Sequence, residues 1–424
     1  MEKASSSCPD VEHHCPSWQR PAAVGAATCT PPGYRWIVLS VLFVARFCLG
    51  FQFQSAGSVG PFLTTEWGLD YTQIGTLVGL FMLPGLVLAL PGGLLGKRFG
   101  DKPVVFMGMV AMILGGVLSG LAQSYAAVSA GRLITGTGAV FLVVLMSKMV
   151  TDWFAGKELF LGMAIFIIGW PVGIAAGQAT HARLAESVGW SAVFLLTAIM
   201  MGVALASMAI FYRSPPASAT ASASPSARLT RDELWLVCIA GAIWMFINGA
   251  YVVMLSFGPI LVLEHGASIT GAAQAVSVMS WVFLFALPLG GWLSTRYGAA
   301  DVVMIVGLVG SVIFGLAIPF VGFPALTFAL FGIAFAIATP AIASLPAEIL
   351  RPDNRASGFG IYYIWYYAGS ALLPPLGGLL KDASGTATST VLLSASMMFA
   401  SLCLLALLRW EQARRQSAPA DRTP

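Results

Sequence analysis

The chain has 424 residues, of which 58% are hydrophobic and only 9% are charged. A soluble domain carries about 25% charged residues, so this composition excludes a soluble globular enzyme and a disordered chain. The net charge is only +4 and no run of Lys and Arg reaches five residues, so no nucleic-acid partner is predicted. The apolar excess instead predicts a lipid bilayer as the chain's surroundings.

Long apolar stretches recur along the whole sequence. Each is near the roughly 20 residues that a transmembrane helix needs, and none alternates as the strands of a membrane barrel do. We therefore predict an all-α membrane protein with twelve transmembrane helices in two pseudo-symmetric six-helix halves. The predicted spans are 35–57, 71–95, 103–122, 126–149, 159–180, 190–212, 234–256, 269–292, 301–321, 324–346, 358–380 and 387–409.

A polar segment divides these spans into two groups of six. Residues 213–233 are rich in Ala, Ser and Pro, a composition typical of a flexible linker. The predicted organisation is thus an N-terminal bundle at 35–212, a cytoplasmic linker at 213–233 and a C-terminal bundle at 234–409. Cytoplasmic tails at 1–34 and 410–424 complete it, the first of them predicted to be disordered.

The N-terminal tail holds Cys8, Cys15 and Cys29 together with His13 and His14. Their spacing fits no zinc-binding pattern, so no metal site is predicted. The tail also lacks a charged segment followed by an apolar one, so no cleavable signal peptide is expected.

Positive charge is distributed unequally between the two sides of the membrane. With the N-terminus inside, two basic residues fall in outer loops, Arg183 and Lys381, and 17 of the 22 Lys and Arg residues fall on the cytoplasmic side. This bias predicts a multi-pass protein of the cell membrane with both termini cytoplasmic. The cytoplasmic set is Lys3, Arg20, Arg35, Lys97, Arg98, Lys102, Lys157, Arg213, Arg228, Arg231, Arg296, Arg351, Arg355, Arg409, Arg414, Arg415 and Arg422.

The two halves share residues at a constant offset of 198 positions. Three separate regions match without a gap, which indicates duplication, and parallel repeats of this kind place a transporter's substrate site between the halves near the bilayer midplane. The matches are Ser58, Gly60 and Pro61 with Ser256, Gly258 and Pro259; Gly92, Gly93, Arg98 and Gly100 with Gly290, Gly291, Arg296 and Gly298; and Lys157 and Gly162 with Arg355 and Gly360.

Two motifs make the chain resemble the major facilitator superfamily over roughly residues 35–410. The loop Gly93–Lys102 is similar to the signature loop after that family's second helix, although Lys97 replaces the usual Asp and Asp101 stands where a basic residue is expected. The segment Arg132–Gly138 is similar to the family's Arg-x-x-x-Gly-x-Gly in the fourth span. The resemblance implies a transporter that works by alternating access.

A third segment is similar to one branch of that family. Gly169-Trp170-Pro171-Val172-Gly173 resembles the Trp-Pro-x-Gly element in the fifth span of cyanate and nitrate permeases. Members of that branch often carry an arginine late in the first span, whereas here Arg46 lies further upstream.

Arg46 is the strongest candidate for a substrate-binding residue. A charge within the bilayer is costly unless it meets water, a partner or a substrate, and no acidic residue lies deep in any predicted span. Arg46 is therefore expected to bind an anion in the central cavity. A structural role, with backbone carbonyls or polar side chains as its partners, is the alternative.

Other polar and aromatic side chains are expected to shape the same pocket. Gln54 shares a helix face with Arg46, and Asn248 and Tyr251 lie in the seventh span, the counterpart of the first. Such residues also join membrane helices to one another, which is the alternative here. In the eleventh span Trp365 and Tyr366 are expected in the pocket, whereas Tyr362 and Tyr363 are assigned to an interfacial aromatic belt.

A second group of residues is predicted to act in coupling or gating. In the Gly93–Lys102 loop, glycines let helix ends approach and Arg98 can bind an acidic partner on the facing loop. Arg132 belongs to the substrate path or to coupling, unless its long side chain extends to the interface. Lys148 is explained by an i,i+4 pair with Asp152. The predicted set is Arg132, Gly93, Arg98, Gly100, Arg296 and Pro171.

The sequence thus predicts a secondary transporter of a small solute, an anion or a carboxylate. A co-transported proton is left open; the bilayer is the other partner, and a monomer is expected. No phosphate-binding loop and no His-Glu-x-x-His motif occur, so neither an enzyme nor a cofactor is predicted. The alternatives are a proton-coupled exporter of drugs or metabolites and, from another class, a transporter-like sensor.

Overall fold

The computed structural model describes residues 33–154, 158–213, 229–351 and 354–417. These ranges form α-helices and short connections, without strands. The N-terminal half contains α1 (Tyr34–Trp67), α2 (Tyr71–Met82), α3 (Gly85–Phe99), α4 (Asp101–Gly120), α5 (Tyr125–Trp153), α6 (Leu159–Val188) and α7 (Trp190–Phe211). The C-terminal half contains α8 (Arg231–Glu264), α9 (Ile269–Trp281), α10 (Phe283–Tyr297), α11 (Ala300–Ala317), α12 (Pro324–Ile349), α13 (Arg355–Ser384) and α14 (Ala387–Ser417).

The fourteen helices correspond to twelve membrane spans, because the second and the eighth span are each divided in two. Eleven segments of the described chain are long and apolar enough to cross a membrane. The remaining span is α13, which has 30 residues but whose tyrosines, glycines and prolines lower its mean hydropathy. The predicted all-α fold with two six-helix halves is confirmed, and the protein is a multi-pass membrane protein.

The division of the two spans follows the internal repeat. α2 and α3 separate at Leu83–Pro84, and α9 and α10 separate at Val282, which lies 198 residues after Pro84. Pro84 cannot donate a backbone hydrogen bond, but Val282 can, so proline is not required for the break. Other prolines of the spans do not break their helices: Pro171, Pro288, Pro340, Pro374 and Pro375 all lie inside continuous ones.

Several helix ends differ from the predicted bounds. α8 begins at Arg231, because Thr230 and Glu233 form a capping box, so the last three residues of the predicted linker are helical. α14 continues to Ser417, eight residues into the predicted tail. α6 extends to Val188 instead of ending near residue 180. The N-terminal tail with its Cys and His residues lies outside the described ranges, as does most of the linker.

The loops after the second and eighth spans each contain a glycine with positive φ, although the ψ angles differ, 148° at Gly100 and 20° at Gly298. Gly100 and Gly298 both have positive φ, 88° and 60°. A side chain with a Cβ is strained in this region, which explains why glycine stands at both positions.

Hydrogen bonds join the two halves at the end of the bundle where α1 and α8 finish, which we call the closed end. Asp382 in α13 accepts hydrogen bonds from the backbone amides of Tyr71 (2.9 Å) and Thr72 (2.8 Å). The Thr72 hydroxyl donates a third at 2.6 Å. Glu186 in α6 accepts one from Thr270 in α9, at 2.5 Å. The carboxylate of Asp382 thus caps the first turn of α2, a helix of the other half.

Ion pairs at the opposite end stay within one half. Asp101 pairs with Lys148 in the N-terminal half, and Arg409 pairs with Asp301 in the C-terminal half. Tyr363, which lies toward this end of α13, is 45% exposed. The contacts between the halves at the closed end and the exposed Tyr363 indicate an opening between them at the end where α1 begins and α14 ends.

Candidate functional site between the two halves

Arg46 lies in the opening between the halves, about 18 Å along α1 from its first residue. Its Nε and Nη1 atoms are buried and have no hydrogen-bond partner. No ion pair to Arg46 is found in the parts of the chain that the structure describes. An unpartnered buried donor costs about 1–3 kcal/mol, so this guanidinium lacks the partners that a structural arginine would have.

Aromatic rings of α6 and α13 surround the Arg46 guanidinium. Its central carbon is 5.3 Å from the Phe166 ring centroid and 5.5 Å from that of Trp170, both in α6. On the other side it is within electrostatic range of the tyrosines at 363, 366 and 367 of α13. Gly169 allows this arrangement, because a Cβ there would come within 3.2 Å of the Arg46 side chain. The site is thus a cation between aromatic walls contributed by both halves.

Trp244 in α8 supplies a second donor to the opening. Its indole Nε1 is buried and has no hydrogen-bond partner. Its ring stacks on Tyr362 at 5.5 Å and lies 6.4 Å from Tyr366. Trp244 is 198 residues after Arg46, so the two unpartnered donors occupy equivalent positions in the first helices of the two halves. Sequence reasoning missed Trp244, although the offset alone could have identified it.

Tyr366 lies at the site, whereas the Trp365 ring packs against α8. Tyr366 is half-buried and lies between Arg46 and Trp244. Trp365 points at α8, where its ring would contact a Cβ on Gly241. Adjacent residues of a helix project about 100° apart, and the Trp365 ring packs against α8 in this conformation, so its place in the pocket stays a prediction.

Tyr362 and Tyr363 also differ from the interfacial belt that the sequence predicted. Tyr362 is 1% exposed, and its hydroxyl donates to the Ile342 carbonyl at 2.9 Å. It belongs to the core of the C-terminal half. Tyr363 lies at the opening, within electrostatic range of Arg46.

Tyr251 has a packing environment and not a pocket environment. Its ring stacks on Phe283 and Phe335, each at 5.2 Å, and its hydroxyl is 2.7 Å from Ser280 Oγ in α9. The residue is 6% exposed. Its polar group already has a partner in this conformation, which favours the alternative role of joining helices, and substrate binding by Tyr251 stays a prediction.

The side-chain amides of Asn248 and Gln54 both form hydrogen bonds within the protein. Asn248 donates to the Trp244 carbonyl at 2.8 Å and is half-buried. Gln54 is 3% exposed and bonds to Gln178 and Ser58. It shares a face with Arg46 but lies about 12 Å further along α1. A small solute bound to Arg46 would therefore not reach Gln54 in this conformation, and substrate binding by Gln54 stays a prediction.

Two buried polar residues of α6 were missed: Gln178 lies inside the predicted fifth span, and His181 lies just beyond its predicted end at residue 180. Gln178 and His181 are both 0% exposed. Gln178 Nε2 and both ring nitrogens of His181 have no hydrogen-bond partner. The positions of Arg183 and Glu186 close behind suggested a loop, but these charges lie on the last turns of the helix.

Arg132 is a structural residue of the N-terminal half in this conformation. It is 1% exposed and donates to the backbone carbonyls of Leu77 (3.0 Å), Gln52 (3.2 Å) and Phe53 (3.1 Å). It also donates to Ser55 Oγ at 3.3 Å. It therefore joins α5 to α1 and α2, and it neither extends to the interface nor reaches the opening.

The predicted gating loops lie apart from each other. Arg98 and Arg296 are both exposed, and Arg98 lies over the ring of Phe99. Asp101 pairs with Lys148, which also holds the expected i,i+4 contact with Asp152 at 3.5 Å. A gating role for Gly93, Gly100 and these arginines stays a prediction, because it concerns another conformation.

Pro171 is buried in the middle of α6, next to glycines that pack on α1. A Cβ on Gly173 would collide with the Phe47 carbonyl, and one on Gly177 would come within 3.1 Å of Gln54. These small residues allow close approach of the two helices. Packing therefore accounts for this segment, and its gating role also stays a prediction.

Comparisons with known proteins agree with this architecture. The family model described as the Major Facilitator Superfamily matches residues 42–258 and 239–424. A solved structure of a bacterial homolog of the human lysosomal transporter Spinster, in an inward-facing and unoccupied conformation, superposes with a TM-score of 0.72 at 17% identity. The match covers 91% of this chain and 98% of that one, and it shows the shared fold.

Three relatives that are named for a transported solute are each less than 30% identical to this chain. The hexuronate transporter of Bacillus subtilis is 23% identical over 401 residues, which is 88% of this chain and 94% of the relative. The 4-hydroxybenzoate transporter PcaK of Acinetobacter baylyi is 26% identical over 165 residues, 38% of this chain and 36% of that protein. The gallate transporter of Pseudomonas putida is 24% identical over 162 residues, again 38% and 36%.

Proposed function

Because the chain belongs to the Major Facilitator Superfamily, we propose that it is a secondary transporter that carries a small organic carboxylate by alternating access. The observation that supports this most strongly is the set of buried donors without acceptors: Arg46 Nε and Nη1, and Trp244 Nε1. A carboxylate offers two oxygens and a negative charge, so it complements these donors. Hexuronate, 4-hydroxybenzoate and gallate are carboxylates too, which supports the same class.

The aromatic walls indicate the shape of the substrate. Phe166, Trp170 and Tyr366 offer ring faces beside the cation. Such surfaces stack on a planar ring or on the apolar face of a sugar. We therefore propose a carboxylate that bears a ring, with its acid group on Arg46.

Orientation follows from the charge distribution. With both termini cytoplasmic in the cell membrane, the closed end faces outward and the opening faces inward. The structure then represents an inward-facing state. A single chain supplies residues of both halves to the site, so we propose a functional monomer.

A stability screen of the purified protein in detergent tests the substrate class. Benzoate, 4-hydroxybenzoate and glucuronate should raise the unfolding temperature, since a ligand that binds only the folded state stabilises it by mass action. The matched control is the carboxamide of each acid, which keeps the ring and loses the charge. Stabilisation by the amides as well, or only by apolar drugs, would reject the carboxylate site and favour the exporter.

Asp382 is expected to hold the closed end together. Replacing it by Asn removes a charge-assisted contact to the first turn of α2, worth about 1–3 kcal/mol, so the outward-open population should rise about 5- to 150-fold. Spin labels at Val188→Cys and Phe323→Cys, both on exposed positions of the closed end, report the distance between the halves. The labels require a background in which the six cysteines are replaced.

Glu66→Gln is the matched control for Asp382→Asn. Glu66 also lies at the closed end, but it accepts its hydrogen bond from Trp190 of its own half, at 2.7 Å. Its replacement should leave the distance distribution unchanged. Equal distributions for Asp382→Asn and the unmodified protein would remove Asp382 from the closing contact.

A further inference from the structure

His181 is a buried imidazole that the substrate site does not use. It lies in α6, 0% exposed, with Nδ1 and Nε2 both lacking a hydrogen-bond partner. Its ring stands edge-on to Phe51 of α1 at 4.3 Å. Arg46 also lies on α1, more than one helical turn further than Phe51 from the closed end.

The residues around His181 reach the contact between the two halves. Gln54 bonds to Gln178, and Gly177 lies against both Gln54 and the His181 ring. Gly57, one turn from Gln54 on α1, faces Ser256 of α8, since a Cβ there would be 3.6 Å from Ser256 Oγ. α6 itself packs against α9. We call this contact of α1 and α6 with α8 and α9 the seam.

No counter-charge is bonded to His181 among the described residues. On α6, Arg183 is exposed and Glu186 bonds to Thr270 across the seam. α7 and α9 carry no charged residue. The charged residues of the other helices that pack on α6 are Arg35, Arg46 and Glu66 on α1; Arg132, Lys148 and Asp152 on α5; and Arg296 on α10, none of which is bonded to the imidazole.

Burial without partners has opposite consequences for the two forms of the ring. A neutral imidazole can be buried at moderate cost, whereas a buried imidazolium without a counter-charge costs far more. When the seam opens, water reaches the ring and stabilises the imidazolium. Proton binding and closure of the seam therefore exclude one another.

We propose that His181 is a sensor of external pH, which binds a proton from the outer medium when the seam is open and then holds the transporter outward-open. The proposal rests on the alternating access proposed above. The proton comes from the outer solution, adds to a ring nitrogen and returns to the same solution before the seam closes. No proton crosses the membrane by this step, so it regulates transport without driving it.

The linkage between proton binding and opening of the seam determines the sign and the size of the pH effect. An imidazole in water has a pKa of about 6.5, and only the open state binds the proton. The ratio of open to closed molecules should therefore rise about tenfold between pH 8 and pH 5.5. Acid outside should slow the carboxylate cycle, because it retains the outward-open state.

Distance measurements between the spin labels at 188 and 323 test the sensor without any substrate. The long-distance population of the otherwise unmodified protein should grow about tenfold relative to the short one between pH 8 and pH 5.5. In His181→Gln, and in His181→Phe as a second variant that keeps a ring, the ratio should be the same at both pH values. His265→Gln is the matched control, because His265 lies exposed at the same end, and it should keep the full response.

Two results would overturn the sensor: no pH response in the unmodified protein, or an undiminished response in both His181 variants. Failure of the carboxylate proposal would be seen separately. It would leave the distance response intact and remove the ligand stabilisation of the unmodified protein.

Discussion

Replacing Arg46 by methionine is expected to abolish carboxylate binding while leaving the fold intact. Methionine fills a similar volume but has no charge and no donor. Losing one partner of a buried, hydrogen-bonded charge pair costs about 2 kcal/mol or more, so the Kd should rise at least about 30-fold. Isothermal titration of the purified protein with 4-hydroxybenzoate measures the change.

The stability of the unliganded Arg46→Met variant separates a binding role from a structural one. Arg46 Nε and Nη1 bond to nothing in the protein, so their removal leaves no carbonyl unpaired and eliminates a costly buried charge. The unfolding temperature should therefore stay the same or rise. Arg46→Lys, which keeps the charge but loses the planar fork, should retain part of the affinity. A substantially lower unfolding temperature in Arg46→Met would identify Arg46 as a structural residue.

The same substitution at Arg132 is expected to have the opposite effect. Arg132→Met removes the donors that serve the carbonyls of Leu77, Gln52 and Phe53. Hydrogen bonds from a charged donor contribute about 1.5–3 kcal/mol each, so the free energy of unfolding should fall by about 3 kcal/mol or more. Fluorescence-detected size exclusion after a heating series measures the loss.

Arg132 and Arg46 are thus matched controls for one another. Both are arginines of the N-terminal half with buried donor atoms, but Arg132 has protein acceptors, whereas Arg46 Nε and Nη1 have none. An Arg132→Met protein that unfolds at the temperature of the unmodified chain would contradict the structural role. It would also weaken the use of unpartnered donors to locate the substrate.

The fold was largely predictable because its determinants are local or repetitive. The lengths of the apolar stretches predicted the spans, and the 198-residue offset predicted the two halves. The break at Val282 was not predictable from residue type, since valine continues a helix readily. It follows only from its equivalence to Pro84 in the repeat.

The charged residue of the candidate site could be predicted from the sequence, whereas the aromatic residues around it could be predicted only in part. Arg46 stands out in the sequence because a lone intramembrane charge is rare. Trp365 and Tyr366 are neighbours in the sequence, but which of them faces the opening depends on the rotation of α13 against α8. The spacing of residues along α13 does not by itself determine how this helix is rotated against α8. Asn248 and Tyr251 likewise found partners on their own half.

His181 was missed for a different reason. The charges of Arg183 and Glu186 suggested a loop, whereas the helix continues past them to Val188. Glu186 is accommodated because it bonds to Thr270 of the other half at the closed end. A contact between halves cannot be read from the local pattern, so a buried imidazole at this position was not predicted.

Counterflow in proteoliposomes tests the central claim most directly, that Arg46 selects carboxylates for transport. Vesicles loaded with unlabelled 4-hydroxybenzoate or glucuronate should take up the same labelled acid with saturable kinetics. The same vesicles should exclude the matching amide, and Arg46→Met vesicles should show only leakage. Saturable counterflow of the amide, or undiminished counterflow of the acid by Arg46→Met, would contradict the account.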